Sequence, residues 1–312
     1  MPSATSSIAV VGYGNQGRRS WALNLHDFGV RRRRLHPQRR HPQQAETDGF
    51  PAKDIEAANE ADILCVLVPD DVIPSLPIEP SGYSLTILAS GYTLAFGRFD
   101  PNGDVAMIAP RMLGPEVREC YLEKTGFITA VGVAHDRSGS ALERTLAVAS
   151  AIGGLRQGAI ELTPLQEAVL DLAVEQVLSP ALARVNTAFL AVMAEHGILE
   201  ATITELFMSG EVERTYRRLR LEGFAGQLEY HSPTSQYGQL SRRGEYDEID
   251  VETIMRRLTD DISSGRFADE WDAERDAGHE RLAALKEEHA GPLVREFEAD
   301  LRRRLGELAE EH

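Results

Sequence analysis

Two carboxylates in the middle of the chain have the spacing of a metal site. Asp171 and Glu175 stand four residues apart in an otherwise apolar segment, V-L-D-L-A-V-E. In a helix this spacing places both side chains on one face, and two acids in apolar surroundings repel each other unless a cation lies between them. A hard divalent cation such as Mg²⁺ suits oxygen ligands. From the spacing alone, a Mg²⁺ site and a solvated or ion-paired helix face both remain open.

A glycine-rich segment near the N-terminus has the pattern of a phosphate-binding turn. The apolar run Ile8 to Val11 leads into a G-x-G-x-x-G sequence, and a helical stretch follows from Arg18 to Phe28. A buried strand that turns sharply into a helix presents backbone N–H groups to a pyrophosphate, although a tight turn of an ordinary α/β domain has the same pattern. We predict that the cofactor-binding residues here are Gly12, Tyr13, Gly14, Asn15, Gln16 and Gly17.

The elements that must position these residues alternate in type through the first half of the chain. Further apolar strands are predicted for Ala61 to Pro69, Ser84 to Ser90, Asp104 to Pro110 and Ile128 to Ala134. Continuous apolar runs mark strands that are covered on both faces, as in a doubly wound parallel sheet. We therefore predict an α/β fold, with a Rossmann-type nucleotide-binding domain over residues 1–160.

Residues at the carboxyl ends of these strands are further candidates for the cofactor site, because ligands bind at that edge of a parallel sheet. Pro69 and Asp70 follow one strand, and Gly91 follows the next. Asp70 and Asp71 are equally suited to cap a helix N-terminus, which is the commoner role for such residues.

The segment from Arg31 to Pro42 does not have the character of the second strand expected there. It reads R-R-R-R-L-H-P-Q-R-R-H-P. The arginines could bind a 2′-phosphate, which would favour NADP, or form a solvated basic loop. A third hypothesis is a compensated frameshift, since suitable codons read one base later encode a strand-like peptide.

After Thr163 the alternation ends and apolar residues recur at helical spacing, so we predict an all-α domain over residues 161–312. The net charge of the 312-residue chain is -16, which argues against nucleic acid or an anionic membrane as partner and favours a small molecule. We find no run of ~20 apolar residues long enough to span a membrane and no signal-peptide pattern. A cytoplasmic protein is expected.

Ordered motifs then extend along nearly the whole chain: G-Y-G-N-Q-G at Gly12, W-A-L-N-L at Trp21, L-V-P-D-D at Leu67, A-S-G-Y at Ala89, A-P-R-M-L-G at Ala109, A-I-G-G at Ala151, D-L-A-V-E-Q at Asp171, S-P-T-S-Q-Y-G at Ser232 and S-G-R-F-A-D-E-W at Ser264. With these motifs the chain resembles the ketol-acid reductoisomerases of the short class. The resemblance implies NADP(H) and Mg²⁺ as cofactors, and an alkyl migration followed by reduction of 2-acetolactate-type acids in branched-chain amino acid synthesis.

Site residues follow from the resemblance position by position. It implies that Asp171 bridges two Mg²⁺ ions, that Glu175 is a second ligand on the same helix, and that Glu205 is a third ligand from a later helix. Ser232 corresponds to the serine that holds the substrate carboxylate. The resemblance also implies a knotted helical domain and a homodimer, in which Glu205 and Ser232 reach the active site of the other subunit.

The chain departs from the family pattern at catalytic positions. Ser90 replaces a histidine, Arg111 replaces a lysine, and Ser209 replaces a second metal-binding glutamate, for which Glu211 or Glu213 could substitute only with a local shift. Arginine keeps the cation but cannot donate a proton near neutral pH.

Three functions stay open at this point. The catalytic positions are Ser90, Arg111, Asp171 and Glu175. The first hypothesis is a true ketol-acid reductoisomerase. The second hypothesis is an NADPH-dependent reductase of 2-keto acids or imines that has lost the isomerase step. The third is a binding protein without turnover.

Overall fold

The chain folds into two compact units, Met1–Leu172 and Ala173–His312. The computed structural model describes residues 7–12, 18–29, 47–50 and 55–305. The units divide inside the helical stretch Pro164–Glu195, whereas the sequence placed the domain boundary at residue 160, which stays a prediction. The three hypotheses about Arg31 to Pro42 fall outside the described residues.

The N-terminal unit is built on a six-stranded sheet whose strands follow chain order. The strands are β1 Ile8–Val11, β2 Ile63–Val66, β3 Leu85–Leu88, β4 Asp104–Pro110, β5 Thr129–His135 and β6 Ala159–Glu161. The pairs from β1 to β4 are parallel, as is the pair of β5 and β6. The Rossmann-like parallel sheet is therefore confirmed.

One strand pair corrects the predicted all-parallel sheet, because β4 and β5 are antiparallel. The connection explains the direction. It leaves β4 at Pro110, which lies opposite Thr129 in the ladder, and the Arg111 N–H donates to the Ile128 carbonyl at 2.9 Å. The chain thus re-enters the sheet beside the end of β4, so β5 runs in the opposite direction. A parallel neighbour would need a connection that crosses to the other edge.

Helices and short 3-10 turns connect the strands of this unit. The helices are α1 Arg18–Asp27, α2 Tyr92–Ala95, α3 Gly114–Leu122, α4 Ala141–Ala151 and α5 Pro164–Ala173. The 3-10 turns span Ile55–Glu60 and Ile73–Ser75.

Both faces of the sheet are covered, as in a doubly wound fold. Along β1, Ile8 and Val10 belong to one buried cluster with Trp21 of α1, whereas Ala9 and Val11 belong to a second cluster on the opposite face. The alternation follows from the pleat of a strand, which points successive side chains to opposite faces. Both faces being apolar explains why these strands read as continuous hydrophobic runs.

The C-terminal unit is helical in the part that the structure describes. Two π-helical turns, Val174–Leu178 and Thr204–Met208, and two 3-10 turns, Gln227–Tyr230 and Arg243–Tyr246, adjoin its helices. The helices are α6 Ser179–Glu195, α7 Leu199–Ile203, α8 Glu211–Gly226, α9 Pro233–Arg242, α10 Val251–Ser263, α11 Arg266–Asp276, α12 Glu280–His289 and α13 Pro292–Leu305. The helical domain predicted from periodicity is thereby confirmed, and its knot stays a prediction.

One helical stretch corrects the statement that no segment is long and apolar enough for a membrane span. The 32 residues of Pro164–Glu195 form a continuous helix that is apolar enough and long enough to cross a membrane, and most of its apolar part is not buried. The four residues Glu167, Asp171, Glu175 and Arg184 divide this stretch into shorter apolar runs, which is why a search for uninterrupted runs missed it. Length and composition alone are weak grounds for a membrane span, because buried core helices meet the same criteria.

Candidate functional site

The first glycine of the G-x-G-x-x-G sequence lies where two parallel strands end side by side. Gly12 follows β1 with a φ of +102°, and a Cβ atom there would lie 2.8 Å from the Leu67 carbonyl oxygen and 2.9 Å from the Val68 side chain. Only glycine adopts this conformation and tolerates this approach without strain. Gly12 therefore has the backbone conformation that the predicted turn requires at its first glycine. The remaining predicted cofactor residues of the turn, Tyr13 to Gly17, lie outside the described residues.

A second contact at the same edge joins the segments that follow β2 and β3. The Ser90 hydroxyl donates to Asp70 Oδ1 at 3.1 Å. Pro69 is exposed beside it. Asp70 does not cap the short 3-10 turn that follows, because Val72 occupies the cap position. The carboxylate is thus directed to the catalytic candidate Ser90 rather than to helix capping.

A buried glutamate connects two further candidates. Glu167, on α5, has a side chain that is 1% exposed. Its Oε2 accepts the backbone N–H of Gly91 at 2.6 Å, and its Oε1 accepts from Arg111 NH1 at 3.0 Å. The same Arg111 nitrogen lies 3.0 Å from Asp171 Oδ1. One guanidinium therefore joins two carboxylates of a single helix at the carboxyl end of β4.

Local sequence explains why α5 begins where it does. The Thr163 N–H donates to the Gln166 side chain at 3.0 Å, and the Gln166 N–H donates to the Thr163 hydroxyl at 3.2 Å. This reciprocal pair is a capping box, which fixes the start of a helix. Gly91 packs against the same start, since a Cβ there would lie 2.3 Å from the Pro164 carbonyl oxygen. The capped helix thus brings Glu167 to the turn after β3.

Burial raises the pKa values of two carboxyl groups in this cluster. Burial, opposed by the Gly91 N–H, raises the pKa of Glu167 to about 7, and the neighbouring Asp171 adds to the rise. Burial also raises the pKa of Asp70 to about 6, against the Ser90 hydrogen bond. Groups with such values take up and release protons at physiological pH. The edge therefore combines a fixed cation with two proton-exchanging acids.

The other candidates belong to the C-terminal unit. Glu175 lies in the first π-helical turn and is exposed, and Glu205 lies in the second and is also exposed. Ser232 is the N-cap of α9, where its Oγ accepts the Ser235 N–H at 3.3 Å. Capping uses only a lone pair of the oxygen, so the hydroxyl proton of Ser232 can still be donated. The ligand and substrate roles of these residues stay predictions.

Glu205 is hydrogen bonded to Glu211, which could replace the family glutamate that is absent at Ser209. A hydrogen bond to the Glu211 side chain and the charge of Glu211 raise the pKa of Glu205. Ser209 instead forms local hydrogen bonds: its Oγ donates to the Glu205 carbonyl at 2.5 Å and accepts the Glu211 N–H at 3.1 Å. Ser209 and the left-handed Gly210 end one helical segment and start α8, which turns Glu211 toward Glu205.

Within the described residues, no three histidine, cysteine or acidic side chains are grouped as a metal site. Glu167 is the one site residue that the sequence reasoning missed, although its signal was present. It precedes Asp171 by four residues in the same apolar helix, just as Asp171 precedes Glu175. An acid at every fourth position marks one helix face.

Comparison with known families assigns both halves of the chain. Residues 4–158 match the acetohydroxy acid isomeroreductase NADPH-binding domain, and residues 165–306 match the ketol-acid reductoisomerase C-terminal domain. The chain is 34% identical to a ketol-acid reductoisomerase (NAD(P)(+)) of Metallosphaera sedula, over 99% of this chain and 93% of that protein. It is 33% identical to the NADP(+) enzyme of Methanocaldococcus jannaschii, over 96% of this chain and 93% of that one.

Solved structures agree with this assignment. The chain superimposes on an NADH-preferring ketol-acid reductoisomerase from an uncultured archean with a TM-score of 0.85 and 29% identity, covering 96% of this chain and 94% of that one. A pyrroline-5-carboxylate reductase of Coxiella burnetii, with a TM-score of 0.55 and 18% identity over 83% of this chain and 98% of that one, shares the fold alone. The chain, with its nicotinamide-cofactor domain and its helical C-terminal domain, therefore belongs to the ketol-acid reductoisomerase family.

Proposed function

We propose that the chain is a Mg²⁺-dependent ketol-acid reductoisomerase that uses NADPH and acts on 2-acetolactate-type acids in branched-chain amino acid synthesis. The observation that carries the proposal is the match to both family domains in a chain whose Arg111, Glu167 and Asp171 converge at the carboxyl end of β4. That edge is where ligands of such sheets bind. As a soluble enzyme dependent on NADPH, it is proposed to work in the cytoplasm.

The acidic residues fit a hard divalent cation by their chemistry, because carboxylate oxygens are the ligands that Mg²⁺ prefers. We assign Asp171, Glu175 and Glu205 as ligands, and Glu211 in place of the ligand lost at Ser209, because its side chain is hydrogen bonded to Glu205. When bound, Mg²⁺ supplies the charge that acidifies the substrate hydroxyl and polarises the adjacent carbonyl.

The residues that depart from the family pattern retain defined tasks in this proposal. Arg111 binds an anionic oxygen of the substrate and donates hydrogen bonds, but it does not exchange protons. The Ser90 hydroxyl, hydrogen bonded to Asp70 at 3.1 Å, relays a proton: it takes up the proton of the substrate hydroxyl as it gives its own to the Asp70 carboxylate, whose pKa is about 6. The Ser232 hydroxyl donates a hydrogen bond to the substrate carboxylate.

We further propose a homodimer whose subunits share active sites. An apolar stripe on the helical stretch around α6 carries the argument, since it consists of residues that recur every three or four positions and are 40–62% exposed: Val174, Leu178, Leu182, Val185, Phe189 and Val192. Such a stripe is one face of a helix, and a contiguous exposed apolar face marks an interaction site. A second copy of the chain would cover it, and Glu205 and Ser232 would then complete the partner's site.

The proposed activity is tested by NADPH oxidation with the purified full-length chain, with and without Mg²⁺. The two substrates are 2-acetolactate and 3-hydroxy-3-methyl-2-oxobutyrate, which is the already isomerised intermediate. We expect Mg²⁺-dependent turnover of both. Turnover of the second compound alone would mean that alkyl migration is lost and reduction remains, and turnover of neither would contradict the proposed function.

A further inference from the structure

Glu167 holds two different elements with its two carboxylate oxygens. The Oε2 atom accepts the Gly91 N–H of the turn after β3 at 2.6 Å. The Oε1 atom accepts from Arg111, which follows β4, at 3.0 Å. The Glu167 side chain is 1% exposed, whereas that of Asp171, one helical turn later, is 40% exposed. The Glu167 side chain is therefore buried behind the site, whereas the Asp171 side chain is accessible to a ligand.

The Arg111 guanidinium has to satisfy both acids. Its NH1 atom lies 3.0 Å from Glu167 Oε1 and 3.0 Å from Asp171 Oδ1. A guanidinium bound to a single carboxylate turns its fork to that partner and forms two parallel hydrogen bonds. Because NH1 is shared between the two acids, the guanidinium does not turn its fork fully to Asp171. The position of Glu167 thus bears directly on how much of Asp171 stays open to another cation.

We propose that Glu167 is a positioning residue that holds Arg111 away from full pairing with Asp171, and so keeps Asp171 available to the divalent cation. The inference rests on the proposed function, because it takes Asp171 as a metal ligand. Without the Glu167 charge, Arg111 would have Asp171 as its remaining acidic partner in this cluster and would compete with the metal ion for it. Glu167 acts through Arg111 and touches no substrate.

A buried ion pair at the other end of the same strand provides a matched control. Asp104 begins β4 and is also 1% exposed, and it accepts from Arg144 at 3.0 Å and from the Ser138 hydroxyl at 2.6 Å. Breaking a buried pair of this kind destabilises a protein by leaving a charge uncompensated. Asp104→Asn therefore reproduces the structural cost of removing a buried acid, at a distance of about 20 Å along the strand.

The experiment is a Mn²⁺ titration of the full chain followed by electron paramagnetic resonance, with Mn²⁺ replacing Mg²⁺. The variants are Glu167→Gln, Arg111→Met, their combination and Asp104→Asn. Glu167→Gln keeps the size of the side chain and an oxygen for the Gly91 N–H, so it should fold, and its thermal unfolding verifies this. We expect its Mn²⁺ affinity to fall about tenfold, the lower range for a lost supporting residue of a metal ligand. Asp104→Asn should lower stability and leave the affinity unchanged.

The combined variant distinguishes positioning from a general effect of charge or structure. When Arg111 is absent, no guanidinium competes for Asp171, so adding Glu167→Gln to Arg111→Met should change the Mn²⁺ affinity by less than about twofold. If the tenfold loss persists in the Arg111→Met background, or if Glu167→Gln binds Mn²⁺ as the wild type does, the inference is overturned while the proposed function stands. If the wild-type chain binds no Mn²⁺, the metal part of the proposed function fails, and the inference fails with it.

Discussion

The two units of this chain bury their apolar residues to very different extents. In the N-terminal unit, the side chains of Ile8, Leu64 and Ile87 are all 0% exposed. In the C-terminal unit, Val185 is 62% exposed and Phe224 is 83% exposed. Of the described residues in this second unit, only a few are fully buried, among them Val177, Leu190, Ile203 and Ile262.

This difference supports the proposed dimer, because the N-terminal unit contains its own core, whereas the C-terminal unit leaves an apolar stripe uncovered. A sheet covered on both faces contains its own core, whereas a helix with a wide exposed apolar stripe needs another surface to cover it. The comparison also orders the site residues. Arg111, Glu167 and Asp171 are fixed by contacts within the N-terminal unit, while Glu175, Glu205 and Ser232 lie in the unit that a second copy would cover.

The largest effect is expected from a charge in the apolar stripe. Val185→Asp places a carboxylate in the proposed interface between copies, where an unpaired buried charge is strongly unfavourable. We expect a monomer by light scattering, and a loss of turnover of about 100-fold or more because each site would lack the partner's residues.

Asn186→Asp is the matched control, since Asn186 is the next residue of α6, is also exposed and lies outside the stripe. It should leave the assembly and the activity unchanged. A Val185→Asp protein that stays dimeric, or a monomer that keeps full activity, would contradict the comparison. A wild-type chain that cosediments with lipid vesicles would instead assign the stripe to a membrane.

Glycine-to-alanine substitutions should have opposite results in the two units. Gly91→Ala would place a Cβ 2.3 Å from the Pro164 carbonyl oxygen, and such overpacking costs up to ~3 kcal/mol of unfolding free energy. At Gly238, in α9, a Cβ atom would meet no neighbouring atom within 4 Å, so Gly238→Ala should stabilise that helix by ~0.5–1 kcal/mol. Chemical denaturation measures both changes, and equal costs at the two positions would refute the contrast.

The raised pKa values of Glu167 and Asp70 predict how stability depends on pH. Their pKa values rise from 4.5 to about 7 and from 3.8 to about 6, respectively, on folding. The folded state therefore binds more protons than the unfolded state between pH ~4 and ~7, and stability is lost as the pH rises through this range. At about 1.4 kcal/mol per pKa unit, the two shifts correspond to a loss of at most about 6 kcal/mol, measured by denaturation in a chelating buffer.

Glu167→Gln should remove roughly half of this dependence, because the amide does not titrate whereas Asp70 still does. Glu205 provides the contrast with the second unit, since its pKa is raised mainly by the neighbouring Glu211 at an exposed position, where water screens the charges. Glu205→Gln should therefore change the slope between pH ~4 and ~7 much less than Glu167→Gln does. A slope that is unchanged in Glu167→Gln and falls in Glu205→Gln would contradict the account.

The smallest effect concerns the ligand assigned to Glu211. Glu211→Gln should weaken Mn²⁺ binding about threefold to tenfold, because one carboxylate of the set is lost. Glu213→Gln is its matched control, being an acid of the same helical turn that does not contribute to the pKa of Glu205. Equal effects of the two substitutions on a Mn²⁺ titration would remove Glu211 from the ligand set.

Sequence alone predicted what depends on local pattern. The alternation of strands and helices, the turn at Gly12 and the helix that carries Asp171 all follow from periodicity and glycine placement over short distances. The antiparallel β4 and β5 pair did not follow, because strand direction depends on where a connection returns to the sheet. The sequence also did not predict that Gly210 would separate α8 from the turn that carries Glu205.

The site was predicted in part for the same reason. Motifs identified Asp171, Arg111 and Ser90 one by one, but not the contact of Arg111 with Glu167, which are 56 residues apart. Ser90 and Asp70 are hydrogen bonded although they are 20 residues apart in the sequence. Such contacts arise only when strand ends meet at one edge of a sheet, so a linear pattern carries no signal for them. The capping interpretation of Asp70 was wrong because Val72 occupies the cap position of the turn that follows, and the Asp70 carboxylate accepts from Ser90 instead.

Each active site, as we propose it, combines Asp171 and Glu175 of one chain with Glu205 and Ser232 of another. Mixing two inactive variants, Asp171→Asn and Glu205→Gln, after joint unfolding and refolding tests this claim directly. A mixed dimer would contain one intact site and one doubly altered site, so an equimolar mixture should regain roughly a quarter of the wild-type NADPH oxidation with 2-acetolactate. A mixture that stays as inactive as its components, although mixed dimers form, would contradict the claim.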